Sequence, residues 1–497
     1  MTKPVATPAT AAAATAAYRR GSYPVVKRPC DVVVVGARCA GAATAMLLAR
    51  AGLRVVVLDR APKGSDTVST HALTRGGVLQ LHRWGLLDAV VAAGTPPVRT
   101  TVLHYPDETA RVAVRPTPGV EALGALYAPR RTVLDAILVD AARRAGAEVH
   151  FGMSVTRLLT DGAGHVVGVA ARPVTGGTGT GTGDEDSDED SDEDSDGDRH
   201  GHDGDDDRDD RGRGRGAARE MLVRAALTVG ADGIGSTVAR AVAAPAVHVG
   251  PSAGSYLYGY WRGLPTDGYE WFYGPGASAG LIPTNDGLTC VFVGHAAGRM
   301  RAVRAGTGDA RAAFDAVLAA AAPDLADRLA AAEPVARLAG FGGRSGYLRE
   351  AFGPGWALAG DAGFFRDPLS THGISDALRD AELLARAVLD AGPAPGPVLD
   401  AALARYQQAR DRLALPLLAA TDRLASHAWD EASLRPTLRA LNAAMNAGLE
   451  TLLALPPLPL SSPAAHAWIP GQAPTAAPGR SPGETAPPSS LEGSSPR

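Results

Sequence analysis

The 497-residue sequence is poor in cysteine and in lysine. Its three cysteines, Cys30, Cys39 and Cys290, are an odd number and no two of them have the spacing of a zinc site. This argues against a disulfide framework and against structural zinc, and we expect a protein of the reducing cytoplasm. Only three lysines stand beside 46 arginines, a bias that we attribute to codon composition.

Long apolar runs are also absent. No stretch reaches the roughly 20 apolar residues that a membrane-spanning helix needs, so we expect no membrane span. Residues 1–28 are rich in Ala, Thr and Pro and lack the basic start and apolar centre of a secretory signal, which predicts a disordered tail. The total length exceeds one compact core and predicts two packed regions.

Charge is unevenly distributed along the chain. Residues 184–215 hold 17 acidic and 5 basic residues, so that the net charge of −4 leaves the remainder at +8. The mildly positive charge of the residues outside 184–215 suits an anionic cofactor or substrate. The arginines are scattered and are not clustered with aromatic residues, so we expect no nucleic-acid partner.

The acidic residues belong to a low-complexity insert, 175–216, which cannot bury enough apolar area to fold and is predicted to be disordered. Asp192, Asp194, Asp196 and Gly197 match the start of a calcium loop. The twelfth position is Asp203 instead of glutamate, however, and a run of alternating acids produces such a match by chance. We therefore predict no metal site.

The stretch DVVVVGARCAGAATAMLLARAGLRVVVLDR, residues 31–60, predicts a strand, a glycine turn, a helix and a second parallel strand. Gly36 permits the turn and Gly41 lets the helix pack closely on the strand. Arg38 replaces the middle glycine that normally clears space for a pyrophosphate. Its side chain either swings away from the phosphates, runs along them and adds a contact, or points to solvent.

Asp59 ends the second strand, 23 residues after Gly36, and Arg60 follows it. An acid at this place holds ribose hydroxyls and disfavours a 2′-phosphate, so the site suits FAD or NAD better than NADP. The alternative is an ordinary turn residue. We include Arg60 among the candidate cofactor-binding residues.

Two later stretches complete a pattern. VGADGIGSTVAR contains Asp232, and WALAGDAGFFRDPLSTHGIS contains Gly360, Asp361, Pro368, Gly373 and Ile374. Together with the N-terminal unit they resemble the three fingerprints of the class A FAD-dependent monooxygenase family of the p-hydroxybenzoate hydroxylase type. Its superfamily includes geranylgeranyl reductases and flavin-dependent halogenases. The resemblance covers most of residues 30–390.

The resemblance implies an α/β fold, with a Rossmann-like FAD-binding domain of the GR2 type built on a parallel sheet, a mixed β-sheet substrate domain and C-terminal helices. The alanine-rich stretch 309–332 is expected to form one helix, and 99–116 to join the substrate sheet. The expected ranges are 29–174, 217–245 and 341–395 for the FAD-binding domain, 246–340 for the substrate domain, 396–454 for the C-terminal helices and 455–497 for a disordered tail.

It also implies roles for single residues. Asp361 would accept a hydrogen bond from the ribityl chain, and Asp232 would lie near the pyrophosphate. A helix starting near Gly373 would point its N-terminus at the flavin pyrimidine. In the pattern R-x-x-L-D, Arg131 would contact FAD. Arg130 is the competing candidate, and a surface arginine at a helix start is the alternative reading.

The tripeptide Ser-Thr-His occurs at 69–71 and at 370–372. His71 and His372 are weak candidates for contact with a non-covalent FAD or with a substrate anion. The other reading is that Ser or Thr caps the following helix and the histidine is partly buried. No side chain is assigned as a catalytic acid or base.

The implied function is an NADH- or NADPH-dependent monooxygenase, in which a flavin hydroperoxide, formed with O₂, hydroxylates an aromatic or polyketide-like small molecule. GDAGF replaces the usual GDAAH, which leaves an FAD-dependent double-bond reductase as the alternative. A halogenase is disfavoured because the W-x-W-x-I-P segment is absent. The non-enzymatic alternative is a binding or scaffold protein. The oligomeric state stays open.

Overall fold

The computed structural model of the protein describes residues 29–174 and 220–458. The expected N-terminal tail, the acidic insert with its calcium-like stretch and the C-terminal tail from 459 onward lie outside the described residues. At the end of the described part, Leu455 and Leu458 pack against the first hydrophobic core. The division into domains stays a prediction.

The strands are β1 (Cys30–Val35), β2 (Val55–Asp59), β3 (Thr100–His104), β4 (Thr109–Ala113), β5 (Glu148–Phe151), β6 (Met153–Thr160), β7 (Val166–Pro173), β8 (Met221–Gly230), β9 (Ala246–Val249), β10 (Gly254–Arg262), β11 (Tyr269–Gly274), β12 (Ala277–Pro283), β13 (Leu288–Ala296), β14 (Glu333–Pro334), β15 (Ala339–Phe341), β16 (Tyr347–Arg349), β17 (Phe352–Gly353), β18 (Trp356–Leu358) and β19 (Phe364–Phe365). The α-helices are α1 (Cys39–Arg50), α2 (Arg75–Arg83), α3 (Leu87–Ala92), α4 (Arg131–Arg144), α5 (Thr237–Ala241), α6 (Ala297–Thr307), α7 (Ala310–Ala321), α8 (Leu325–Ala330), α9 (Gly373–Ala391), α10 (Pro397–Ala425) and α11 (Glu431–Ala454).

The first sheet has the strand order β17-β18-β8-β1-β2-β5, with β7 and then β6 attached to β8. The four pairings from β18 through β8, β1 and β2 to β5 are parallel. Valines 32 and 34 of β1 pack in one core with α1, α4 and α9, while valines 33 and 35 pack in a second core with residues of β7 and β8. Both faces of β1 are thus covered, which explains its continuous apolar sequence.

The second sheet has the order β14-β10-β13-β12-β11-β3-β4, and β15 pairs with β10. It is mixed because β11 and β3 run parallel while the other pairs are antiparallel. Strands β3 and β4, from the 99–116 stretch, therefore lie in this sheet. A smaller sheet contains β19, β16 and β9. The predicted α/β class, with a parallel sheet and a mixed sheet, is confirmed.

The two faces of β10 have different partners. Leu257 and Trp261 pack against α6, α7 and α8. Tyr256, Tyr258 and Tyr260 lie on the opposite face, in a core shared with residues of α10 and α11. The period of two along the strand produces this division, and it lines the α10–α11 side of the sheet with tyrosines.

The three cysteines are buried and none forms a disulfide. Among the residues that the structure describes, no helix combines the length and the apolar composition needed to cross a bilayer. The alanine-rich stretch forms α7 and α8 and not the single helix expected from the sequence. Pro323 lies between them and cannot donate the backbone hydrogen bond that a continuous helix requires.

Candidate functional site

The three motifs meet at one edge of the first sheet. In the strand register, Val35 of β1 pairs with Leu58 of β2 and with Gly230 of β8. Gly230 also pairs with Leu358 of β18. Asp59 is the last residue of β2, and the glycine turn, Asp232 and Asp361 follow β1, β8 and β18. Parallel strands end at the same edge, and this edge is where ligands bind in open α/β sheets.

Three glycines keep the backbone at this edge free of side chains. Gly36 has φ +101°, and a Cβ there would overlap the carbonyl oxygen of Ala231. A Cβ on Gly41 would overlap the carbonyl oxygen of Gly36. Gly360 has φ +61°, and a Cβ there would come within 2.9 Å of Cβ of Ala40. The turn therefore lies in backbone contact with α1 and with Ala231, and the 360–362 segment packs against the Ala40 side chain. The predicted roles of Gly36 and Gly41 in packing have a direct physical cause.

The side chain of Arg38 bends away from the glycine turn. Its guanidinium donates to the carbonyl oxygens of Ser65 and Asp66 at 3.4 and 3.1 Å and to the Ser65 hydroxyl at 3.3 Å. It also forms an ion pair with Asp135 of α4 at 3.3 Å. The arginine thus ties the start of α1 to the loop after β2 and to α4.

We expect Arg38→Gly to change FAD affinity less than about threefold, because the guanidinium is already engaged by the protein and partly exposed ion pairs contribute about 1 kcal/mol or less. Equilibrium titration of the apoprotein with FAD, followed by flavin fluorescence, measures this. A loss of tenfold or more would contradict it and would mean that the guanidinium contacts the pyrophosphate.

Asp59 and Asp232 both bind backbone groups of the protein. Asp59 accepts from the N–H of Ala37 at 2.6 Å and of Ala61 at 2.7 Å. Asp232 accepts from the hydroxyl of Ser236 at 2.6 Å and from the N–H of Thr237 at 2.7 Å, which caps α5. Both carboxylates therefore brace the loops of the edge. Their direct contact with a cofactor stays a prediction.

A solvent-open cavity lies beside Asp59, and its space of about 440 Å³ includes open solvent. Its lining includes Arg38, Lys63, Arg131 and Phe151. The charge of Arg131 is compensated by Asp135, which accepts from its guanidinium at 3.0–3.2 Å. Arg60 is exposed just after β2. The cavity offers a carboxylate, cations and an aromatic ring at the place predicted for an adenosine.

Asp135 was missed by the sequence reasoning. It accepts from Arg38, from Arg131 and from the thiol of Cys39 at 3.1 Å, and so links α4 to the first residues of α1. The signal was present, since Arg131 and Asp135 are four residues apart on one helix and such a pair faces the same side.

Asp361 differs from the other two acids. Within the described residues its carboxylate has no hydrogen-bond partner, while its backbone oxygen accepts from the Tyr347 hydroxyl at 2.5 Å. Burial raises the pKa of Asp361 to about 7, although the residue is partly exposed at the sheet edge. A carboxylate left without a protein partner is available to a ligand.

The helix predicted near Gly373 is present, because α9 begins at that residue. A Cβ on Gly373 would meet no atom within 4 Å, so the helix N-terminus opens onto free space, and Ile374 is buried behind it. Pro368 opens the short 3₁₀ turn that leads to the helix. The preceding Asp367, also missed, accepts from the Tyr256 hydroxyl at 2.5 Å and from the N–H of Gly254 at 2.7 Å, and joins this loop to β10.

The two histidines are buried in different surroundings. His372 precedes α9 and its Nδ1 lies 3.1 Å from Asp376, which also binds two arginines. His71 has its Nε2 hydrogen-bonded to the hydroxyl of Tyr260 on β10. Neither histidine follows a Ser or Thr whose side chain caps the next helix. The helix-capping alternative is therefore wrong for both tripeptides, and the histidines are buried more completely than the partial burial that it expected.

Comparison with known proteins identifies a sequence family for the first part of the chain. Residues 29–180 match the family described as FAD binding domain. The FAD-dependent monooxygenase OpS4 of Beauveria bassiana is 30% identical over 142 residues, which are 28% of this chain and 33% of that protein. The match thus spans about a third of the length of this curated relative.

Solved structures extend the likeness to the whole fold. The flavin-dependent brominase Bmp2 superposes with a TM-score of 0.63 at 17% identity, covering 85% of this chain and 100% of that one. PqsL of Pseudomonas aeruginosa, described as a probable FAD-dependent monooxygenase, gives 0.61 at 19% identity, covering 84% and 100%. The resemblance drawn from the sequence is confirmed: residues 29–180 match an FAD binding domain, and the chain has the fold of flavin-dependent monooxygenases and halogenases.

Proposed function

We propose that this chain, with an FAD binding domain in the fold of flavin-dependent monooxygenases and halogenases, is an FAD-dependent monooxygenase that hydroxylates an aromatic or polyketide-like small molecule. NADH or NADPH would be the reductant and O₂ the second substrate. The observation that carries the proposal is Asp361, a carboxylate without a partner in the described residues, between the glycine turn and the open start of α9.

The residues at this edge fit a dinucleotide. The turn around Gly36 and the first N–H groups of α1 would hold the pyrophosphate, as helix N-termini bind anions. The cavity beside Asp59 would take the adenosine. Asp361 would accept from the ribityl hydroxyls, because its oxygens have unused acceptor capacity.

The N-terminus of α9 would point at the flavin end of the cofactor. Its free N–H groups carry a partial positive charge that stabilises a nearby anion. Gly373 leaves this end open, and α9 is 19 residues long with Asp376 and Arg366 anchoring its first turn. FAD, when bound, supplies the redox and oxygen chemistry, and these residues would hold and polarise it.

The tyrosine-lined face of the second sheet would receive the substrate. Tyr256, Tyr258 and Tyr260 are buried there under α10 and α11. A substrate would lie between this face and those helices, where the tyrosines would pack against an aromatic ring and keep water away from the reacting atoms. Asp367 would fix the position of this sheet relative to the cofactor loop, because it accepts hydrogen bonds from both Tyr256 and the 3₁₀ turn.

A turnover assay under ¹⁸O₂ tests the function. The FAD-loaded protein is given NADPH or NADH and a panel of phenols and polyketides. We expect flavin bleaching by the nicotinamide, oxygen uptake and ¹⁸O in the product. Product formed anaerobically and without ¹⁸O would contradict a monooxygenase.

The role of Asp361 gives a second test. We expect Asp361→Asn to weaken FAD binding about tenfold to a hundredfold, because a neutral amide oxygen replaces a charged acceptor and the amide N–H₂ finds no matching acceptor, with little change in folding because the carboxylate has no partner in the described residues. Fluorescence titration with FAD and thermal unfolding of the apoprotein measure the two quantities. Asp315→Asn, on the exposed face of α7, is the control.

A further inference from the structure

His71 is held in a costly conformation. Its φ of +67° lies in the left-handed region, which residues other than glycine seldom occupy, and only 1% of its surface is exposed. Its Nδ1 is buried and has no hydrogen-bond partner among the described residues. Backbone strain combined with an unpaired buried polar atom is typical of a side chain that meets a ligand.

The hydrogen bond to Tyr260 determines which ring nitrogen of His71 carries the proton. Burial, with Arg131 and Arg130 nearby, lowers the pKa of His71 to about 3, so the imidazole is neutral and carries one proton. Burial also raises the pKa of Tyr260, which keeps its hydroxyl proton. If Tyr260 accepted from Nε2, its own proton would have no acceptor among the described residues. We therefore assign Tyr260 as donor to Nε2, which places the imidazole proton on Nδ1.

Arg130 supplies a second unpaired donor beside the same tyrosine. Its guanidinium carbon lies 4.1 Å from the centre of the Tyr260 ring, and its Nε is buried without a partner in the described residues. Asp66 binds a terminal nitrogen of the same guanidinium at 3.0 Å. The Nε–H of Arg130 and the Nδ1–H of His71 are thus two donors, and neither can accept a proton.

We propose that His71 and Arg130 form a paired donor site for an acceptor-only oxygen of the substrate, a carbonyl or a phenolate. The inference rests on the proposed function and narrows its substrate class. A neutral hydroxyl fits less well, because its proton would find no acceptor on these two groups. Tyr260 is a positioning residue, since it acts by fixing the tautomer of His71.

Binding of 4-nitrophenol, whose anion is coloured, tests the site. In the FAD-loaded protein we expect the probe to bind as the phenolate, with its apparent pKa below that of the free probe. His71→Asn and His71→Asp form a matched pair, because both side chains tolerate a positive φ but only the amide is a donor. His71→Asn should bind within about fivefold of the wild type, and His71→Asp about tenfold to a hundredfold more weakly.

Two further variants separate the roles. Arg130→Met should also weaken phenolate binding. Tyr260→Phe should reduce phenolate affinity less than Arg130→Met does, and should change the apparent pKa of the bound probe less. Flavin content and reduction by NADPH are measured in every variant, so failure of the cofactor site is recognised separately. The proposal is overturned if the probe binds as the neutral phenol, if His71→Asp and His71→Asn bind equally, or if His71→Asp loses FAD while probe affinity is unchanged.

Discussion

Gly41→Ala is expected to destabilise the protein by about 3 kcal/mol or more. The added Cβ would overlap the carbonyl oxygen of Gly36, a backbone atom that cannot rotate away. Either α1 moves off β1 or the turn is displaced, and both changes disrupt the core that contains Val32 and Val34. Denaturant unfolding followed by circular dichroism measures the change in the free energy of unfolding.

The control for this substitution is Gly298→Ala. Gly298 lies in α6, and a Cβ there would meet nothing within 4 Å. Alanine is a better helix former than glycine by about 1 kcal/mol, so this variant should be as stable as the wild type or slightly more stable. Equal midpoints for both variants would show that α1 and the turn are not in backbone contact.

Asp376→Ala is expected to cost about 3–5 kcal/mol, because it breaks a buried ion cluster on one side only. Asp376 accepts from Arg366 at 2.8 Å and from Arg379 at 2.7 Å, and all three side chains are almost fully buried. Although burial opposes ionisation, the two arginines hold the pKa of Asp376 well below its usual range. In the Asp376→Ala variant, Arg379 still forms its ion pair with Asp380. Arg366 would be left buried without its carboxylate partner.

Asp315→Ala is the matched control, since Asp315 forms an exposed ion pair with Arg311 and its loss should change stability by no more than about 0.5 kcal/mol. Thermal and denaturant unfolding of both variants give the comparison. If the loss of Asp376 costs no more than that of Asp315, the cluster does not anchor the start of α9.

The sequence was informative wherever the physical cause was local. The βαβ unit and the packing glycines followed from residue spacing, because strands, turns and helix ends are determined by neighbours along the chain. The start of α9 near Gly373 was expected from the family resemblance. The division of the 309–332 stretch was also local, and Pro323 should have predicted it.

Contacts between distant segments were not accessible in the same way. Asp59 and Asp232 occupy the predicted strand ends, but their oxygens bind backbone groups that only the folded loops bring within reach. The position of the Arg38 side chain depends on a loop 27 residues away and on α4. The pairing of His71 with Tyr260 joins residues 189 apart and needs the second sheet in place.

The most direct test of the account is the stoichiometry of FAD binding. Purified protein titrated with FAD should bind one flavin per chain, with a visible spectrum that shifts on binding, and Asp361→Asn should weaken this binding about tenfold to a hundredfold while Arg38→Gly leaves it nearly unchanged. A folded wild-type protein that takes up no FAD, or one that binds it equally well without the Asp361 carboxylate, would contradict the convergence of the three motifs on one cofactor.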